Sequence, residues 1–327
     1  MLQYTFRNYF FEWGPSFLSF LVLLPLLAGI GMTSQTAINS RLRFYVNNPF
    51  FASMISFLVG TVFLAIVTLA SGSSLLVNHQ VFVNNPWWIW LGGPLGAFLL
   101  TMNILLFPKL GSVQATLLPI VGQVVMSLCI DQFGFFQSTI HRVSLFALFG
   151  LIIVIIGALL SINAFQQKRP TAATQSNLLL WRMLGILGGM AFACQSSING
   201  KLGGILGLSQ KSAFYSFLAG TLILVIVVLC LRLPLKQSFK GVFTGAKTDW
   251  WCLLGGLIGA INVFMIAWLS PKIGTAPTLI VLLVGQLGFS LVLEHFGLFK
   301  SPKKAIQLSQ IIGLLLMIVG IIMINFL

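Results

Sequence analysis

Long apolar runs separated by short polar gaps dominate this chain from residue 17 to residue 326. Several runs reach the roughly 20 residues that a helix needs to cross the hydrocarbon core of a bilayer. Ten runs can be distinguished: 17–38, 50–71, 87–107, 112–130, 143–163, 178–199, 212–232, 250–270, 274–293 and 306–326. The pattern predicts an all-α integral membrane protein of ten transmembrane helices, because a helix satisfies its own backbone hydrogen bonds in lipid.

Short motifs in the two halves of the chain match one another in the same order. The first half contains QTAIN at 35–39, SFLVGT at 56–61, GGPLGA at 92–97, PKLG at 108–111, GQ at 122–123 and DQFGFF at 131–136. The second half contains QSSIN at 195–199, SFLAGT at 216–221, GGLIGA at 255–260, PKIG at 271–274, GQ at 285–286 and EHFGLF at 294–299. The first two pairs are 160 residues apart and the others 163 apart, so one three-residue length change explains both offsets. This order indicates an internal duplication.

Each repeat therefore contains five predicted helices, the first within residues 1–165 and the second within residues 166–327. Because five is odd, the second copy must enter the membrane from the opposite side, which predicts inverted repeats. Inverted repeats are typical of secondary transporters, whose substrates bind near the bilayer midplane between the repeats. Channels can also be pseudo-symmetric, and they are the alternative. The pattern therefore supports a transmembrane pathway more firmly than it supports a carrier.

The composition excludes a soluble domain, because only 7% of the residues are charged, against about 25% in soluble proteins. The net charge of +14 comes from cations in the gaps between apolar runs. We assign these cations to orienting the chain in its membrane and not to binding nucleic acid. Of the 18 Lys and Arg residues, the face that holds both termini carries only Arg7, Arg142, Lys201, Lys211 and Lys272. This bias places both termini outside.

No constellation of catalytic or metal-binding residues is present in the sequence. The three histidines and four cysteines lack metal-ligand spacing, and no motif of a phosphate-binding loop, a serine hydrolase or a zinc protease occurs. We therefore expect no catalytic residues, no metal and no cofactor. An enzyme that acts on a membrane substrate remains the alternative.

Amide side chains within the apolar runs are the most informative polar residues. Gln35 and Asn39 are four residues apart and so share one helix face, and Gln195 and Asn199 repeat this arrangement. Four further amides lie inside other runs: Gln123, Gln286, Asn103 and Asn262. An amide in hydrocarbon is costly unless it is hydrogen-bonded, so we expect all eight to face inward. They are predicted to line a pathway for an uncharged or zwitterionic solute, with hydrogen bonds between helices as the alternative.

Two sets of glycines suit close contacts between helices. The pattern GGxxG at 92–96 recurs at 255–259, and packing is the favoured explanation for it, with a mobile, sliding helix pair as the alternative. Gly150 and Gly157 match Gly313 and Gly320 in the last helix of each repeat. That stripe predicts either an internal contact or the seam of a homodimer.

Only four carboxylates occur in the chain, and two of them open the matched motifs DQFGFF and EHFGLF. Inversion would place Asp131 and Glu294 at opposite membrane faces, so both cannot readily bind one solute at the midplane. A negative charge at a helix C-terminus is also slightly unfavourable, so each acid needs a partner. We predict a structural or gating role for both.

The ordered motifs resemble the YdcZ-type family of the drug/metabolite transporter superfamily, and the resemblance covers two fused five-helix units. In that family a Gly-Gln pair in the fourth helix precedes Asp-His-Phe-Gly at its end. This chain has Gln132 in place of the histidine in its first copy and Glu294 in place of the aspartate in its second. Relatives are usually drawn with both termini in the cytoplasm, opposite to the charge count. Small proton-coupled members use a carboxylate in the first helix, where this chain has Gln35 and Asn39.

The resemblance implies a multi-pass protein of the bacterial inner membrane that exports a small organic solute. Alternating access between the inverted repeats is the expected mechanism, and the expected partners are that solute and the lipid bilayer. Two other functions stay open at this point: a flippase of a lipid-linked substrate and a membrane scaffold that transports nothing.

Overall fold

The computed structural model describes residues 2–138, 140, 142–161, 172–273 and 275–326. All regular secondary structure in these residues is helical. The α-helices are α1 (Leu2–Val46), α2 (Pro49–Ala70), α3 (His79–Asn84), α4 (Gly92–Phe133), α5 (Leu145–Ser161), α6 (Ala172–Leu206), α7 (Ser209–Cys230), α8 (Leu235–Thr248), α9 (Leu254–Ile273), α10 (Thr275–Phe296) and α11 (Leu308–Phe326). The predicted boundary between the two repeats falls in the gap between 161 and 172.

The long helix α4 reverses direction at Gly111, whose φ of 83° and ψ of 172° are not helical. A Cβ at Gly185 of α6 would lie 3.3 Å from Leu106 and 3.0 Å from Leu118. In a straight helix these two leucines would be about 18 Å apart. Residues 92–110 and 112–133 therefore fold back on one another and correspond to the third and fourth predicted helices.

Four helical segments in the described part of the chain are long and apolar enough to cross a membrane: Pro49–Ala70, Gly92–Phe133, Leu178–Leu206 and Ser209–Cys230. Shorter apolar helices cover Leu145–Ser161, Trp250–Ile266, Val281–Phe296 and Leu308–Ile324. The sequence pattern missed two elements, the short helix α3 and the amphipathic helix α8, both in the loop between the second and third predicted helices of a repeat. These helices are polar enough to fall below any hydrophobic threshold.

Equivalent helices of the two repeats contact each other through equivalent residues. Helices α5 and α11 pack so closely that a Cβ on Gly150 would overlap the carbonyl of Gly320, and one on Gly157 would overlap that of Gly313. Since Gly150 and Gly157 match Gly313 and Gly320 in that order, the two helices run antiparallel. The glycine stripe thus lies in an internal contact, while the homodimer stays a prediction.

Helices α2 and α7 also meet at matched positions. The hydroxyls of Thr61 and Thr221 are 2.9 Å apart and buried, and the stacked rings of Phe57 and Phe217 have centroids 4.8 Å apart. In both pairs the partners are 160 residues apart in the sequence. The crossing of α2 and α7 therefore joins equivalent positions of the two halves.

Candidate functional site

A cavity with several polar lining residues lies between the two halves of the chain and has a volume of about 90 Å³. A single water needs roughly 10–15 Å³, so the cavity has room for several waters or for part of a small solute. Six of the eight predicted pathway residues line it: Gln35, Asn103, Gln123, Gln195, Asn262 and Gln286. Amides on six different segments thus converge on one space: α1, both halves of α4, α6, α9 and α10.

The motif GGxxG makes room for the glutamines of α1 and α6. A Cβ on Gly96 of α4 would overlap the amide of Gln195, and a Cβ on Gly259 of α9 would overlap that of Gln35. These glycines were expected only to allow close packing. They also leave space for the amide groups of the two glutamines. This role could not be predicted from the sequence, because it depends on α4 crossing α6 and on α9 crossing α1.

The dipeptide Gly-Gln combines a tight helix contact with a side chain that lines the cavity. A Cβ on Gly122 would overlap the carbonyl of Ile186 in α6, and one on Gly285 would overlap the carbonyl of Leu26 in α1. The next residue in each copy, Gln123 or Gln286, is 7% exposed and lines the cavity. Nε2 of Gln286 lies 3.0 Å from the sulfur of Met32, which is a weak acceptor.

Two cavity amides have buried atoms without a hydrogen-bond partner. Oδ1 of Asn103 and Nδ2 of Asn262 are both inaccessible and unpaired among the described residues. Buried polar groups are rarely left in this state, since each costs about 1–3 kcal/mol. Two residues that line the cavity thus carry a buried polar atom, one acceptor and one donor, that no described residue pairs.

Asn39 and Asn199, the other two predicted pathway residues, do not line this cavity. Each lies against the first glycine of a GGxxG motif, Asn39 at Gly255 and Asn199 at Gly92. Nδ2 of Asn199 donates to Oγ of Ser216 at 3.1 Å. The structure therefore places both asparagines in helix contacts next to the cavity.

Several lining residues were not expected from the sequence. Three threonines add hydroxyls to the cavity wall: Thr33, Thr36 and Thr116. The stacked rings of Phe57 and Phe217 form part of the same wall. The phenylalanines could have been found, because both belong to the duplicated motif SFLxGT. The threonines could not, since a threonine in a membrane helix often bonds to its own backbone.

Glu294 and its counterpart Asp131 occupy different environments. Glu294 is 5% exposed, accepts a hydrogen bond from the backbone N–H of Val113 at 2.9 Å, and lies 3.3 Å from Nζ of Lys304. Val113 directly follows the reversal at Gly111, so Glu294 caps the start of the second half of α4. Asp131 is exposed. The observed contacts of Glu294 are structural, and a gating role for either acid stays a prediction.

A third carboxylate, Asp249, is buried and forms a cluster of charged and polar residues that the sequence did not reveal. It accepts hydrogen bonds from Nε of Arg41 at 2.7 Å, from the hydroxyl of Tyr45 at 2.7 Å and from Nζ of Lys300 at 2.8 Å. The cluster connects α1, the start of the 3₁₀ turn before α9 and the turn after α10. Hydrogen bonds from Lys300 and Tyr45 hold the pKa of Asp249 well below its usual range.

Stability should depend on the ionised form of Asp249. A carboxyl whose folded pKa is depressed contributes stability above its unfolded pKa, near 4, and loses it as pH falls through the folded pKa. We therefore expect the thermal midpoint of the purified protein to fall progressively below about pH 5. In Asp249→Asn the same acid-induced decrease should be smaller. Equal pH profiles for the two proteins would contradict this assignment.

Comparisons with known proteins agree with the fold and the duplication. A family model described as "Putative inner membrane exporter, YdcZ" matches residues 20–160 and again residues 180–323. A solved structure entitled "Crystal structure of protein" is similar with a TM-score of 0.56 at 14% identity, covering 91% of this chain and 95% of that chain. This likeness concerns the fold alone. No curated protein matches the chain. Since the family match covers most of both halves, the chain belongs to the YdcZ family, as two fused units in one multi-pass inner-membrane protein.

Proposed function

We propose that this protein exports a small polar organic solute through the central cavity, by alternating access between two inverted five-helix repeats. The observation that carries the proposal is the cavity itself. Amide side chains from both halves of the chain line it. An amide can both donate and accept, which suits an uncharged or zwitterionic solute.

The inverted arrangement is supported by the antiparallel packing of α5 and α11. These helices are equivalent in the two repeats, and two equivalent helices that run antiparallel fit an inversion. The reversal of α4 at Gly111 supports ten crossings, because it yields two segments of roughly transmembrane length from one long helix.

Buried apolar residues lie next to the cavity on one side, which supports alternating access and argues against an open channel. Along α1 the cavity ends at Thr36, and along the first half of α4 it ends at Asn103. Buried apolar residues follow on these segments, namely Ala37, Leu106, Phe107 and Leu110, and they form one cluster with Ala115, Leu118 and Leu293. We propose that this cluster seals the cavity from the adjacent face and separates when the protein changes state.

Replacing the two glutamines that lie against the GGxxG glycines should reduce transport while the protein remains folded. Methionine keeps the length of glutamine but removes its hydrogen-bonding groups, so Gln35→Met/Gln195→Met should lower solute flux into proteoliposomes by about tenfold. The solute is first chosen by its ability to raise the thermal midpoint of the purified protein.

The matched control is Gln80→Met, in the exposed loop helix α3, which should transport normally. Unchanged flux in the double variant, at an unchanged thermal midpoint, would reject the cavity as the solute pathway. If no solute of a broad panel is moved by the unmodified protein, the transporter proposal itself fails.

A further inference from the structure

A second, larger pocket lies beyond the apolar cluster, at the C-terminal end of α1. Its volume is about 400 Å³, and three cationic side chains line it: Arg41, Arg43 and Lys300. Small polar groups and aromatic rings form the remaining wall, among them Ser40, Ser301, Phe44 and Phe299. This pocket, here called the vestibule, follows the central cavity along both α1 and the first half of α4.

The charges of the vestibule are not balanced by the carboxylate beside it. Asp249 pairs with Arg41 and Lys300, but it is buried and does not line the pocket. The side chain of Arg43 has no hydrogen-bond or ion-pair partner among the residues that the structure describes. The guanidinium of Arg43 therefore keeps its donors available, in the planar fork that matches a carboxylate or phosphate.

The vestibule residues can be compared with the residues at the matched positions of the other repeat. Arg41 corresponds to Lys201, but Arg43 corresponds to Gly203 and Lys300 to Gln137. Asp249 corresponds to Pro86, so its cluster also has no equivalent. Arg43 and Lys300 therefore have no cationic counterpart in the other half, unlike the cavity glutamines and the helix-contact glycines, which are duplicated.

We propose that the vestibule binds the anionic group of the transported solute, a carboxylate or a phosphate, before the solute reaches the central cavity. This inference rests on the proposed transport function and changes the expected substrate to a polar solute that carries an anionic group: a zwitterion, an organic acid or a phosphate ester. Arg43 supplies the available donors, while Arg41 and Lys300 add positive potential and are held in place by Asp249. The amide-lined cavity then accepts the polar remainder of the solute.

The electrostatic potential of the vestibule can be measured without knowing the solute. Ser301→Cys places a thiol in the pocket wall, and Ser138→Cys places one at the corresponding position of the other repeat. The two serines are matched, since Ser301 donates to the carbonyl of Leu293 and Ser138 to that of Ile130. Reaction with an anionic and a cationic thiosulfonate is followed by peptide mass spectrometry, which separates these sites from the native cysteines.

We expect the ratio of anionic to cationic reaction rates to be about tenfold higher at residue 301 than at residue 138. Succinate and inorganic phosphate, tested separately at constant ionic strength, should slow a neutral thiol reagent at residue 301 at least threefold and leave residue 138 unaffected. Arg43→Gln should abolish this protection, whereas Lys201→Gln should retain it.

Equal rate ratios at the two sites would overturn the proposal. So would a high ratio at residue 301 without protection by either anion, since the cations would then serve only to orient the chain in the membrane. The measurement is repeated in nanodiscs with and without phosphatidylglycerol. Protection by this lipid but by neither free anion would identify a lipid headgroup site and reject a solute site. Because the assay does not measure transport, these failures are distinguishable from a failure of the proposed export function.

Discussion

Replacing Gly189 with alanine is expected to destabilise the protein by about 3 kcal/mol, at the upper end of the range for overpacked contacts. A Cβ at this position in α6 would overlap the backbone carbonyl of Pro119 in α4. A backbone group cannot move aside as the end of a flexible side chain can, so the two helices must separate. The unfolding free energy of the purified protein in a denaturing-detergent titration measures the effect.

Gly200→Ala is the matched control, because it changes the same residue type on the same helix. Nothing lies within 4 Å of a Cβ at Gly200, and alanine in a helix is favoured over glycine by roughly 0.5–1 kcal/mol. This variant should be as stable as the unmodified protein or slightly more stable. Similar losses in both variants would show that the contact between α6 and α4 is not the cause.

Removing the carboxylate of Glu294 is expected to cost about 1.5–3 kcal/mol, the range for hydrogen bonds to charged groups. Glu294→Ala leaves the N–H of Val113 without its acceptor at the point where α4 resumes after Gly111. Lys304 adds little to this estimate, since its side chain is 58% exposed and exposed ion pairs contribute weakly. The unfolding free energy again provides the measurement.

The corresponding residue in the first repeat supplies the comparison for this variant. Asp131 is exposed, so Asp131→Ala should lose less than 1 kcal/mol. The loss of unfolding free energy in Glu294→Gln should lie between the losses in Asp131→Ala and Glu294→Ala, because its amide oxygen can still accept the hydrogen bond from Val113. If Glu294→Ala is as stable as the unmodified protein but loses transport, the residue acts in gating and not in stabilising α4.

The amide positions show how much of a candidate site a duplicated sequence can predict. Gln35 and Gln195 were identified by their matched positions within apolar runs, and both line the cavity. Periodicity alone could not separate them from Asn39 and Asn199, which share their helix faces. Which residue of each pair lines the cavity depends on where α9 crosses α1 and where α4 crosses α6. Those crossing points are set by helix packing.

The Asp249 cluster marks the limit of the same approach. Arg41, Asp249 and Lys300 are far apart in the sequence, and none of their positions is part of a motif that recurs intact. Only the folded chain brings these three residues within hydrogen-bonding distance. The vestibule follows from this placement and could not be predicted from spacing.

The sequence by itself determined that the chain is a helical membrane protein with an internal duplication. Hydrophobic runs and repeated motifs are local properties, and the cost of exposing backbone groups to lipid leaves helices as the solution for such runs. The tertiary structure alone decided which helices contact one another, and therefore which amides line the cavity and which cations surround the vestibule. Lipid is as apolar as the outer surfaces of the helices, so hydrophobicity cannot select their partners. That selection depends on close contacts at glycines and on buried polar pairs, which exist only once the helices are assembled.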